Sequence, residues 1–241
     1  PSTFSFTTSL GGAGCGIVNA AGNNTINGNF TLTSGNGSTQ FISNGGSLTL
    51  AGNLSANTAS RLVALQGSAA GTVSGVISNG TYATPTGLPV SKTGSGTWTL
   101  SGSNTFTGAT TIGEGVLSVS SINSVVGGTA SSNLGAPVTV PNGTIALGAT
   151  STTGALRYTG TGETTDRVLN LAGTTGGGGV EQSGTGLLKF TSAITATGAG
   201  TKTFTLGGST AGTGEIAGAI VDNLTGTNTT ALHKICTGTW L

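Results

Sequence analysis

The chain has 241 residues, of which 46 are glycine and 5% are charged, with a formal net charge of +1. Binding of nucleic acid needs clustered Lys and Arg; the seven basic residues (Arg61, Lys92, Arg157, Arg167, Lys189, Lys202 and Lys234) are dispersed, which excludes it. Disorder is excluded too, because it couples low hydrophobicity to high net charge, whereas 34% of this chain is apolar.

Helix-favouring Glu and Lys are scarce, Met is missing and no apolar stripe of 3.6-residue period appears, so the chain reads as all-β. No run of 18 apolar residues exists to span a membrane as a helix. The chain opens on Pro1 with no visible signal peptide, as a processed or partial polypeptide would. A Thr/Ser/Asn-rich, Lys-poor and Cys-poor composition points to an extracellular or cell-surface location.

Residues 1–35 are strand-and-turn material, with Phe4, Phe6, Ile17, Val18, Ile26, Phe30 and Leu32 expected to face inward. A unit Gly-x-Φ-x-Φ, where Φ is apolar, then recurs along the chain. It starts at Gly28, Gly46, Gly96, Gly115, Gly143 and Gly186, with variants led by Arg167 and Lys202. In each, alternation buries one face: Trp98 and Leu100 fall on one side, Thr97 and Thr99 on the other.

A longer period lies above this unit. Gly46–Leu65 matches Gly186–Leu206, and Lys92–Trp98 (KTGSGTW) matches Lys234–Trp240 (KICTGTW), at shifts of about 140 and 142 residues. Residues 36–98 thus resemble 175–240, and the chain 1–241 reads as a single solenoid with less than two copies of a repeat of about 140 residues. One such strand cannot bury its face alone, whereas stacked coils share a continuous thin core. The expected fold is a right-handed parallel β-helix of irregular coils, with a β-sandwich or jelly-roll as the alternative.

Residues Lys92-Thr93-Gly94-Ser95-Gly96-Thr97-Trp98, Leu100, Gly102, Asn104-Thr105-Phe106, Gly108, Thr110, Ile112, Gly115 and Leu117 resemble the autotransporter-associated β-strand repeat of bacterial passenger-type surface proteins. The resemblance covers about 30 residues, and its first third returns at Lys234–Leu241 with Ile235-Cys236 in place of Thr93-Gly94. It implies a parallel β-helix passenger exposed outside the cell.

Catalytic candidates are few. His233 is the single histidine, and the acids are Glu114, Glu163, Asp166, Glu181, Glu215 and Asp222. Glu163–Asp166–Arg167 is the closest grouping, expected to be a solvated loop with a local salt bridge. No spacing suits calcium or another metal, and Gly212–Gly218 lacks the following helix of a nucleotide loop. No cofactor or metal is expected. Trp98 or Tyr158 could serve a glycan-binding module. Thr-x-Thr pairs such as Thr97/Thr99 raise an ice-binding face, against which coil-length variation argues. Asn29, Asn53, Asn142 and Asn223 head Asn-x-Ser/Thr triplets, which follow from composition.

Cys15 and Cys236 lie too far apart in a straight solenoid for an internal disulfide, leaving free thiols or a bridge between copies. The chain stops within the strand signal Thr239-Trp240-Leu241, so end-to-end self-association or continuation into a longer polypeptide is expected, with those residues and both cysteines as assembly candidates. Surface glycans are possible partners. The expected role is a non-enzymatic structural or adhesive solenoid (stalk, adhesin or filament subunit), against a carbohydrate-active β-helix enzyme.

Overall fold

The computed structural model describes residues 2–4, 8–10, 16–33, 37–57, 61–81, 86–208, 212–223 and 228–241, the first two segments as backbone only. Each short strand buries alternate residues, as in Phe30–Leu32, Ser47–Leu50 and Thr97–Leu100. With too little apolar surface for a thick core, the chain winds and repeats a thin one.

Among the described residues, every strand pair is parallel, and the strands form a sheet of ten, a sheet of eight and two sheets of four. The chain visits them cyclically. Ser47–Leu50 lies in the ten-stranded wall, Leu54–Ala56 in a four-stranded one, Arg61–Gln66 in the eight-stranded one, and Ala70–Val73 is back in the first. The ten strands of the long wall mark nine turns of a three-walled β-solenoid. A sandwich, which pairs antiparallel strands, is thereby ruled out.

Successive turns differ in length, but the strands stay in register. Thr25 pairs with Thr49, Thr49 with Thr72, Thr72 with Thr99 and Thr99 with Ser118. The extra residues fall between strands, so the half-buried Thr25, Thr49, Thr72 and Thr99 stay in register despite unequal coils, and the row ends at the buried Ser118. The widest step separates Leu117 from its partner Leu156 on the next turn. There the third wall is interrupted, between Ile77–Ser78 and Glu163–Thr165.

The core runs the length of the stack: Phe30, Phe41, Leu50, Val63, Leu100, Leu117, Leu156, Val180 and Phe204 are fully or almost fully buried. Ile26, Phe30 and Leu32 face inward as expected, and Ile17 packs partly against the core. Val18 is 58% exposed, contrary to expectation. Adjacent residues of a strand face opposite sides, and Asn19, not Val18, takes the next inward place, donating to the Gly22, Gly45 and Ser47 carbonyls. The side chains of Phe4 and Phe6 lie outside the described residues.

Glycine is required where one coil's corner rests on the next. A Cβ on Gly52 would sit 2.0 Å from the Gly28 carbonyl oxygen, one on Gly75 2.0 Å from that of Gly52, and one on Gly102 2.2 Å from that of Gly75. Beside this column, the Asn29 side-chain oxygen accepts the Asn53 N–H, and the Asn53 oxygen accepts the Val76 N–H.

Candidate functional site

The repeat segment supplies one complete coil and the turns into the next. Val90–Lys92 lies in the eight-stranded wall, Thr97–Leu100 in the ten-stranded one, Thr110–Ile112 in the eight-stranded one again, and Gly115–Val119 in the ten-stranded one. Trp98, Leu100 and Phe106 are core residues. A Cβ on Gly71 would lie 2.3 Å from the Trp98 indole, so the ring lies over a glycine of the preceding coil, and its Nε1–H donates to the Gln66 carbonyl. Gly96 and Gly108 meet backbone of neighbouring coils, and Gly94 and Gly115 take positive φ. The Asn104 side chain accepts the Ile77 N–H and donates to the Asn133 carbonyl.

Period-2 alternation also carries cations inward. Lys92 is fully buried, and its ammonium donates to the carbonyls of Thr93 (3.0 Å), Gly94 (2.5 Å) and Glu114 (3.0 Å). Burial lowers its pKa to about 8, opposed by the Glu114 charge. Lys202 likewise donates to the carbonyls of Thr174, Gly198, Ala199 and Gly200, and its pKa is lowered by burial. Arg61 is buried and donates to the Thr39 hydroxyl. At a solenoid corner the turning backbone aims several carbonyls at one point, and a long cationic side chain satisfies them together. The Gly-x-Φ-x-Φ unit places its first residue on the inward side, where Lys202 or Arg167 stands in two variants.

Arg167 is the most consequential of these. Its guanidinium is buried, donating through Nε to the Gly143 carbonyl and through Nη1 to those of Ile122 (3.2 Å) and Leu134 (3.1 Å). Burial lowers its pKa to about 10, opposed by Asp166 and Glu163. Its acceptors belong to one lateral excursion, residues 120–143, which fills the widest step of the stack and ends in the short helix Val140–Gly143 capped by Thr139. The Glu163 carboxylate accepts the N–H groups of Ile122 (2.8 Å) and Asn123 (2.5 Å), and Asp166 those of Val125 (2.6 Å) and Val126 (2.9 Å). Within the excursion, Asn123 donates to the Thr129 and Gly135 carbonyls, and Ser132 pairs with Asn104 across an antiparallel bridge.

Glu163, Asp166 and Arg167 therefore form a clamp on backbone, in place of the expected solvated loop with a local ion pair. The other acids are spread out. Glu181 pairs with Arg157 at 2.5 Å, Glu215 with Lys189 at 2.7 Å, and Asp222 accepts the Thr230 N–H. His233 is exposed on the strand Thr230–Lys234. No group of three or more His, Cys, Asp or Glu that could hold a metal occurs among the described residues. Thr213–Ile216 is a strand, not a phosphate loop. Trp98 and Tyr158, the glycan-stacking candidates, are 0% and 1% exposed and cannot present a ring to a sugar.

Lys234–Trp240 repeats the local chemistry of Lys92–Trp98 on different walls. Lys234 donates to the Ile235 and Cys236 carbonyls, and Trp240 lies over Gly214, donating to Gly207. Cys236 stands where Gly94 stood, at φ +59° against +77°, with an exposed free thiol. Thr239 and Trp240 pair with Thr213 and Gly214, and Leu241 is 73% exposed. Cys15 lies outside the described residues.

Sequence reasoning missed the excursion. Its signal was the lapse of the Gly-x-Φ-x-Φ cadence between Val119 and Gly143, with the acids Glu163 and Asp166 spaced three apart about 20 residues further on.

The three-walled stack and the repeat together define the class, a β-solenoid carrying an autotransporter passenger repeat. Residues 90–119 match the passenger-associated-transport-repeat family, the segment on which the resemblance rested. The chain is 39% identical over 181 residues to the adhesin BmaC autotransporter of Brucella suis biovar 1 (strain 1330). That alignment covers 72% of this chain and 5% of the relative. No solved structure matches the chain.

Proposed function

We propose that the chain is a non-enzymatic rod segment of a surface-displayed passenger, acting as the stalk of an adhesin and carrying one lateral feature, the 120–143 excursion. The observation that supports this best is how the chemistry-bearing side chains are used. Lys92, Arg167, Lys202, Glu163 and Asp166 bond backbone groups of the solenoid. A carbohydrate-active enzyme would instead need acids converging on one cleft. The relative's name, an adhesin, and the repeat family support display at the cell surface. End-to-end association of copies belongs to the same proposal.

Small-angle X-ray scattering on the purified chain tests it. Nine turns at ~4.8 Å each give a rod about 43 Å long, and end-to-end association would lengthen it with concentration at constant cross-section. A compact particle with a symmetric distance distribution would sink the stalk reading. Particles that stay one rod long at every concentration would sink the association.

A further inference from the structure

The excursion encloses a groove. Where the third wall is interrupted, its loop stands against the corner Thr105–Thr107 and leaves an open cleft of about 470 Å³. Thr105, Ser124 and Thr129 line it beside Val125, Ala136 and Pro137; the Ser124 and Thr129 hydroxyls donate to the Thr164 and Ser131 carbonyls, which leaves their oxygens as acceptors for a ligand hydroxyl. None of the described residues that line it is charged or aromatic.

The loop is held in place before any ligand arrives. Glu163 and Asp166 fix its first turn, Asn123 ties the turn to Thr129 and Gly135, and Arg167 anchors it from beneath. Preorganisation of this kind lowers the entropy lost on binding.

The lining also narrows the ligand class. An anion would need an available cation, and the guanidinium of Arg167 is buried beneath the loop with Nε and Nη1 committed to carbonyls. A peptide adding as a strand would need a free backbone edge. At this corner the edge is already used: Asn104 and Ser132 exchange both N–H bonds, and the Thr105 and Phe106 N–H groups go to the Ile77 carbonyl. Neutral hydroxyls set among methyl and methylene groups match a sugar ring, which presents hydroxyls at its edge and C–H groups on its faces.

We propose that this groove binds a short neutral oligosaccharide, which places the adhesive contact on the side of the rod. The proposal rests on the adhesive reading above, but not on the rod's shape. A compact scattering profile would sink the stalk and leave the groove untested by that experiment, and a failure of the groove would leave the stalk standing.

The test is a titration of the isotopically labelled full chain, followed by amide NMR shifts, with lactose, cellobiose, maltose and chitobiose as neutral probes and sialyllactose as a charged one. Saturable shifts confined to residues 105–107 and 124–138 are expected for at least one neutral probe, with a Kd of about 1 mM or tighter. Ala130→Trp, at an exposed position lining the groove, should weaken that binding at least about tenfold. Ala217→Trp, exposed elsewhere on the stack, should leave it unchanged, and each variant's amide spectrum reports whether it has folded. The proposal is overturned if no neutral probe gives saturable shifts, if the shifts map elsewhere, if Ala130→Trp binds as wild type does, or if only the charged probe binds.

Discussion

Lys92 makes a quantitative demand on the molecule. Its buried ammonium is the common donor to three carbonyls of half-buried residues at one corner. Lys92→Met keeps the length of the side chain but leaves those carbonyls without their donor. A buried acceptor left unpaired costs about 1–3 kcal/mol; three half-buried ones, each toward the low end, still amount to several. Against this stands relief from burying a charge. The shift from 10.5 to about 8 corresponds to about 3 kcal/mol, at about 1.4 kcal/mol per unit. The variant should therefore be less stable at neutral pH by about 1–4 kcal/mol.

The pH dependence separates the two terms. The folded pKa lies below the unfolded one, so between about 8 and 10.5 the unfolded chain binds more protons, and wild-type stability rises with pH across that window. Lys92→Met lacks this contribution, so its deficit should widen by about 3 kcal/mol between pH 7.5 and 10.5. Urea unfolding in a Trp240→Phe background reads this locally, because Trp98 is then the one remaining tryptophan and lies in the same repeat segment. A deficit that stays flat or narrows as pH rises would refute the claim that this amine is desolvated.

Three further outcomes follow from the same geometry. Gly71→Ala drives a methyl group into the Trp98 ring and should cost about 1–3 kcal/mol, read by the same fluorescence transition. Cys236→Gly restores glycine at a left-handed position and should stabilise the last coils by about 1 kcal/mol, measured as slower hydrogen exchange at Thr239 and Trp240. Glu163→Gln weakens the two bonds to the excursion backbone, so the Ile122 and Asn123 amides should exchange at least about tenfold faster while core strands such as Leu169–Leu171 are unchanged; equal exchange there would show that the carboxylate does not hold the loop.

Much of the solenoid was legible because its rule is local. A strand with period-2 burial announces itself in four or five residues, and Trp98, Leu100, Leu117, Leu188 and Phe204 all face the core as alternation requires. The glycine column from Gly28 to Gly102 could be seen as turn punctuation, but its reason, contact with the carbonyl of the previous coil, depends on stacking. Coil length varies along the chain, yet Thr25, Thr49, Thr72 and Thr99 pair in one row because the spare residues lie outside the strands, a register that spacing along the chain does not reveal.

The amino-acid sequence by itself determined that this chain is all-β, that it repeats, and that residues 90–119 carry an autotransporter-type repeat, since these rest on composition and spacing along the backbone. Only the tertiary structure decided which walls the strands join, which carbonyls the inward Lys92, Arg167 and Lys202 meet, and that Glu163 and Asp166 grip a loop about 40 residues earlier. The physical reason is that a hydrogen bond between successive coils joins residues 20 to 40 positions apart, and that offset is set by the length of each turn, which no local pattern encodes.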